Sequence, residues 1–152
     1  MFKIAIDGPA GSGKSTISKR IAKELNIEYI DTGAMYRAIT LKAIRLGINM
    51  EEEDSYAFLK NTKLDICNGR FIMDNEDVSE EIRSVEVTNH VSTPSKIGVV
   101  REFLVDYQRK ISNSKDCVVD GRDIGTIVLK DASLKIYLDA TIRCRAKRRM
   151  LE

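Results

Sequence analysis

Nine residues near the start of the chain, Gly8-Pro9-Ala10-Gly11-Ser12-Gly13-Lys14-Ser15-Thr16, constrain its fold more than any other stretch. They fit the pattern G-x-x-x-x-G-K-S/T, in which backbone N–H groups converge on phosphate oxygens. That pattern works only between a strand and the first turn of a helix. Lys3-Ile4-Ala5-Ile6-Asp7 reads as a buried strand. Ile17, Ile21 and Leu25, four residues apart with Lys19, Arg20, Lys23 and Glu24 between them, read as an amphipathic helix lying on a sheet and ending at Asn26. The helix N-terminus adds positive dipole, Lys14 supplies a mobile cation, and the Ser15 hydroxyl can ligate Mg2+. The chain is therefore expected to hold a nucleoside triphosphate on the residues from Gly8 to Thr16.

The alternation of elements continues beyond the loop. Glu28 to Ile30 reads as a second strand, and Asp31-Thr32-Gly33 offers capping side chains to a helix on which Met35, Ala38, Ile39, Ala43 and Leu46 recur before Gly47. Leu64-Asp65-Ile66-Cys67, Asn68-Gly69 and Arg70-Phe71-Ile72-Met73 form a hairpin signal that looks like an insertion. From Pro94, a natural first helical residue, Ile97, Val100, Leu104, Tyr107 and Ile111 predict one long helix. Cys117-Val118-Val119-Asp120 and Leu134-Lys135-Ile136-Tyr137-Leu138 read as two further buried strands, joined by a glycine-containing link. Thr141 caps a final basic helix running to Glu152. Strands alternating with helices imply an α/β domain built on a parallel sheet.

Composition narrows the function by exclusion. Lys plus Arg number 25 against 23 Asp plus Glu, a net charge of +2 on 152 residues, too balanced to imply nucleic acid or a membrane as partner. Asp7 interrupts the N-terminus before a signal-peptide apolar region could form, and no apolar run approaches the roughly 20 residues of a membrane span, so a cytoplasmic location is expected. Cys67, Cys117 and Cys144 are far apart and odd in number, which supports neither a disulfide framework nor a zinc site. The lone histidine, His90, reads as a surface or hydrogen-bonded residue rather than a catalyst. Any chemistry is left to Lys, Arg and Asp.

A GTPase switch would need a guanine-reading N-K-x-D element after a later strand, and Asn61-Thr62-Lys63-Leu64-Asp65 has the wrong order and place. A kinase instead needs a second anionic pocket, and Arg37, Arg101 and Arg122 each stand at an element boundary where side chains project into a cleft. Asp120 ends an apolar strand, positioned either to hold a water on Mg2+ or to pair structurally with Arg122 or Lys14. The tract Arg143-Cys144-Arg145-Ala146-Lys147-Arg148-Arg149 lacks the interleaved aromatics of a single-strand nucleic-acid surface.

Ile6-Asp7-Gly8-Pro9, Asp31-Thr32-Gly33-Ala34-Met35-Tyr36-Arg37, Val99-Val100-Arg101-Glu102 and Asp120-Gly121-Arg122-Asp123-Ile124-Gly125-Thr126 together resemble the bacterial cytidylate (CMP/dCMP) kinase family. The resemblance spans the whole chain. It implies a P-loop NTPase-type parallel sheet with flanking helices, a nucleoside-monophosphate-binding insertion over about 32–93 and a lid beginning at about 143. The activity implied is transfer of the ATP γ-phosphoryl group to CMP or dCMP by a monomer. Thr32, Tyr36 and Arg37 are implied beside the acceptor, Ser92, Arg101 and Asp123 around the cytosine, and Arg122 on its phosphate. Lys14, Arg37 and Arg122 are the implied catalytic cations, Ser15 and Asp120 the metal-side residues, and Arg148 and Arg149 lid arginines. Cytosine presents an amino donor at C4 and acceptors at N3 and O2, so a carboxylate and a hydroxyl suit one edge and a guanidinium the other.

The family pattern continues past residue 152 through the rest of the lid and a last strand and helix. A chain without them is expected to be either a truncated or a naturally short form with a partial lid, and to leave Leu134 to Leu138 as an apolar sheet edge. A non-catalytic nucleotide-binding fragment is the contrasting expectation.

Overall fold

The computed structural model describes residues 1–151, and Glu152 lies outside the described residues. The chain divides into two compact units, one made of residues 1–32 and 108–152 and the other of residues 33–107.

The first unit holds a four-stranded sheet. Its strands are β1 (Lys3–Asp7), β2 (Glu28–Asp31), β6 (Cys117–Gly121) and β7 (Leu134–Tyr137), in the order β2-β6-β1-β7 and all parallel. Helix α1 (Lys14–Leu25) follows β1 after the glycine-rich loop, and Asn26 ends it in the left-handed conformation. Ile4, Ile6, Val118 and Ala22 form the core here, with Ile21, Ile27, Tyr29, Ile136 and Leu138 packed against them. The expected buried face of α1 needs correction. Ile17 and Leu25 are exposed, whereas Ser18 and Ala22 are buried, because a helix lying close to a sheet turns its small residues inward. The burial of β7 also needs correction: Leu134 and Tyr137 are 47% and 71% exposed, since β7 is an edge strand paired only with β1 among the described residues. Helix α5 (Ile142–Met150) follows, and the Thr141 hydroxyl caps it by accepting from the Cys144 amide at 3.2 Å.

Helix α2 (Thr32–Leu46) enters the second unit, where Met35, Ala38, Ile39 and Ala43 are fully buried. A three-stranded antiparallel sheet follows, of β3 (Leu64–Cys67), β4 (Arg70–Met73) and β5 (Glu76–Asp77). The expected Asn68-Gly69 turn takes positive φ at both residues, 51° and 74°, the mirror-image turn whose twist matches a hairpin. Asp74 and Asn75 repeat the device at φ 52° and 69°, adding a third strand that two residues were too few to announce. A 3-10 segment at Glu53–Asn61 and helix α3 (Val85–His90) were not expected either. Pro94 does not open the long helix: it starts a single turn, Pro94–Lys96, the backbone extends at Ile97, and α4 runs from Gly98 to Ser114. Val100 and Leu104 of α4 are fully buried, as the periodicity predicts. Among the described residues no helix is long and apolar enough to cross a membrane.

Candidate active site

In the first unit, the C-terminal ends of β1, β2 and β6 bring three carboxylates to one end of the sheet: Asp7, Asp31 and Asp120. The glycine-rich loop leaves β1 there. Its first glycine cannot be replaced, since a Cβ on Gly8 would collide with the Leu138 carbonyl oxygen at the end of β7. The loop turns through a Ser12 amide to Pro9 carbonyl bond of 3.3 Å, and Ala10 is half-buried at its crest. Lys14 opens α1 and donates its ammonium to the Pro9 carbonyl at 3.0 Å, so its cation lies back along the loop. Burial lowers the Lys14 pKa and Arg122 lowers it further, while Asp120, Asp31 and Asp7 oppose them. Ser12 Oγ is buried with no protein partner, a polar atom left to a ligand or solvent. Ser15 and Thr16 are exposed at the start of the helix.

Asp120 is the electrostatic centre of this unit. It is 3% exposed, and burial first, then the neighbouring Asp31 charge, push its pKa up to about 6. Tyr29 donates its hydroxyl to Asp120 Oδ2 at 3.0 Å, and Ser15 also hydrogen-bonds the carboxylate. The Thr32 hydroxyl donates to the Asp120 carbonyl at 2.7 Å, which ties the start of α2 to the end of β6. Of the partners expected for Asp120, Lys14 acts on it through charge, while its hydrogen bonds go to Tyr29 and Ser15. A serine hydroxyl beside a buried carboxylate is a donor set that suits a hard divalent cation.

The residues after β6 are held by Asp7. Its Oδ1 accepts the Ile124 amide at 2.7 Å and its Oδ2 the Gly125 amide at 2.8 Å. These amides open a five-residue π-helical turn, Ile124–Val128, whose Ile127 amide bonds the Asp123 carbonyl at 2.9 Å. Arg122 is exposed and Asp123 half-buried between β6 and that turn. On α5, Arg148 donates to the Gly11 carbonyl at 2.9 Å, and Arg149 follows it on the exposed surface. A Cβ on Gly13 would lie 3.7 Å from the same Arg148 nitrogen, so the guanidinium spans the loop.

In the second unit, Tyr36 and Arg37 are half-buried on the first turns of α2, and the Tyr36 carbonyl accepts the Thr40 hydroxyl at 2.8 Å. Ser92 is exposed in the turn after α3, and Arg101 is half-buried on the first turn of α4. His90 is exposed on α3, with Nδ1 2.8 Å from the Glu86 carbonyl. Sequence reasoning missed two participants, Asp7 and Tyr29. Asp7 did carry a signal, an acid ending a buried strand just as Asp120 does.

The family model for cytidylate kinase matches residues 4–152. The chain belongs to the cytidylate kinase family. It is 52% identical over 151 residues to the cytidylate kinase of Caldanaerobacter subterraneus subsp. tengcongensis, covering 99% of this chain and 67% of that protein. The cytidylate kinase of Acholeplasma laidlawii is 51% identical over 148 residues, with 97% and 67% covered. That of Alkaliphilus oremlandii is 52% identical over 151 residues, with 99% and 70% covered. The chain thus spans about two thirds of the length of these cytidylate kinases.

Proposed function

We infer that this chain is an ATP-dependent phosphotransferase that converts CMP or dCMP to the diphosphate. The observation that carries the reading is the cytidylate kinase match across residues 4–152. The non-catalytic alternative is not favoured, because the relatives named for this activity match over nearly the whole chain.

In the reaction, an oxygen of the CMP phosphate dianion bonds to the γ-phosphorus of ATP as the bond to the β,γ-bridging oxygen breaks, leaving ADP. A dianion needs no general base, so catalysis is positioning and charge stabilisation. Residues Gly8 to Thr16 form the phosphate-binding loop. Lys14, now bonded to Pro9, swings onto the transferred group, and the orphaned Ser12 hydroxyl supports a ligand in the loop. Ser15 and Asp120 would hold Mg2+, which supplies positive charge against the phosphates. Arg37 and Arg122 neutralise the acceptor phosphate, with Thr32 and Tyr36 beside it. Ser92, Arg101 and Asp123 read the cytosine. The segment of about 32–93 is the acceptor-binding insertion, and the lid begins at about 143, with Arg148 and Arg149 on it. The Arg148 contact to the Gly11 carbonyl supports the lid assignment.

Base selection follows from Asp123. A carboxylate accepts from the cytosine amino group, whereas uracil turns an oxygen toward it, leaving two acceptors with no proton between them. A coupled ADP assay with ATP and either CMP, dCMP or UMP tests the reading. CMP and dCMP are expected to exceed UMP by about a hundredfold or more in kcat/KM. No ADP formation with CMP, or equal use of UMP, would overturn it.

A further inference from the structure

Asp7 ends β1, is 8% exposed, and is not among the residues assigned above to ATP, CMP or metal. Both of its carboxylate oxygens are occupied by backbone amides, Oδ1 by Ile124 and Oδ2 by Gly125. A buried carboxylate receiving two amides makes charge-assisted hydrogen bonds that fix the backbone donating them. The chain position of those amides matters. Asp7 pairs with Gly121 in the β1–β6 register, and its side chain grips Ile124. Arg122 and Asp123 are the two residues between these anchors, so a two-residue span is fastened at both ends to one amino acid. The Asp7 carbonyl is fastened as well, accepting the Leu138 amide at 2.7 Å. The following residue, Gly8, begins the phosphate loop. Little slack remains, because a Cβ on Gly121 would lie 2.7 Å from both Thr32 Oγ1 and Ile124 Cδ1.

We propose that Asp7 is a positioning residue for the acceptor, holding Arg122 and Asp123 in the conformation that receives CMP. The proposal rests on the assignment of those two residues to the acceptor. An unclamped 122–125 segment would still carry the right side chains but would have to be ordered by CMP at each binding event, which weakens CMP and spares ATP. Asp7→Asn tests this at nearly constant shape: one amide oxygen remains, but an NH2 group now faces a backbone N–H, two donors with no acceptor.

The expected result is a rise of about 10–100-fold in the KM for CMP, with the KM for ATP within about threefold and a narrower CMP-to-UMP ratio of kcat/KM. Circular dichroism at the assay temperature shows whether the variant is folded. Gly125→Ala is the second variant, and it decides alone if Asp7→Asn does not fold. Its methyl would sit 3.3 Å from Asp7 Oδ2 and 3.2 Å from Lys135 Cδ, crowding the clamp without removing it. A rise of about 3–10-fold in the KM for CMP is expected there, again sparing ATP. Equal rises in both KM values, or a lower melting temperature with both KM values unchanged, would overturn the proposal. Asp123→Asn, measured in parallel, separates the two ideas. An unchanged CMP-to-UMP ratio in that variant overturns the reading of Asp123, whereas a changed ratio beside an unmoved Asp7→Asn overturns only the clamp.

Discussion

The two sheets treat their carboxylates in opposite ways. In the antiparallel sheet of residues 64–77, Asp74, Glu76 and Asp77 lie at the surface and are matched to cations. Arg45 holds Glu76 through bonds of 2.8 and 2.9 Å and also reaches Glu81, Arg70 holds Asp77 at 2.6 Å, and Lys42 holds Asp74 at 2.6 Å. Their pKa values fall accordingly. Arg45 lowers Glu76, while Ser79 first and then Arg70 bring Asp77 down to about 2. In the parallel sheet Asp120 is buried, lies near another acid, and is pushed up to about 6. A charge held where the fold disfavours it marks a site kept for something other than stability. Carboxylates of the first kind maintain architecture, whereas Asp120 would hold a cation under the function proposed above.

Lys14→Ala should break the comparison most visibly. Removing the cation that follows the phosphoryl group is expected to lower transfer by at least about a thousandfold, with a melting temperature near the parent's. Turnover comparable to the parent in the coupled assay would remove the assignment of the loop. Asp123→Asn comes next: the CMP preference over UMP should shrink about a hundredfold while ATP affinity, by calorimetry, holds.

Asp120→Asn should reduce transfer yet stabilise the nucleotide-free protein. Because the folded pKa lies above the ordinary 3.8, the native state holds a proton that the unfolded chain has released. That stabilisation is present at about pH 4 and lost as pH rises through about 6. The asparagine avoids the loss, so its advantage should be absent near pH 4 and reach on the order of 2 kcal/mol at pH 7.5 in thermal melts. A variant equally stable at both pH values relative to the parent would show that Asp120 bears no such strain. The smallest effect belongs to the other sheet. Arg45→Ala should cost about 1 kcal/mol, or roughly 2–4 °C in melting temperature, and leave kcat/KM for CMP within about twofold. A tenfold loss of activity there would dissolve the distinction between the two kinds of acid.

Local chemistry explains which features were legible in the sequence. The Asn68-Gly69 turn and the Thr141 cap are each specified by side chains within a few residues, and both form as expected. The buried face of α1 is only partly legible because two tracks compete: of the bulky Ile17, Ile21 and Leu25 only Ile21 packs on the core, while closeness to the sheet selects Ser18 and Ala22. Pro94 suits a first helical turn equally well whether that turn is short or long, and only the extended Ile97 decides. Spacing alone singles out Lys14 and Ser15 as candidates. Tyr29 carries no such signal, and Asp7 only that of an acid ending a buried strand, because their contacts are with residues 91 and 117 positions away, brought to them by strand order.

That strand order also governs how the chain is made. Lys3–Asp7 is synthesised well before its two neighbours in the sheet, residues 117–121 and 134–137. At about 5–20 residues per second, the nearer partner is synthesised roughly 5–20 s later. During that interval residues 33–107, which carry their own buried core, can already assemble. The first strand waits with both edges open, a template for capture by a chaperone or by the same strand of another copy.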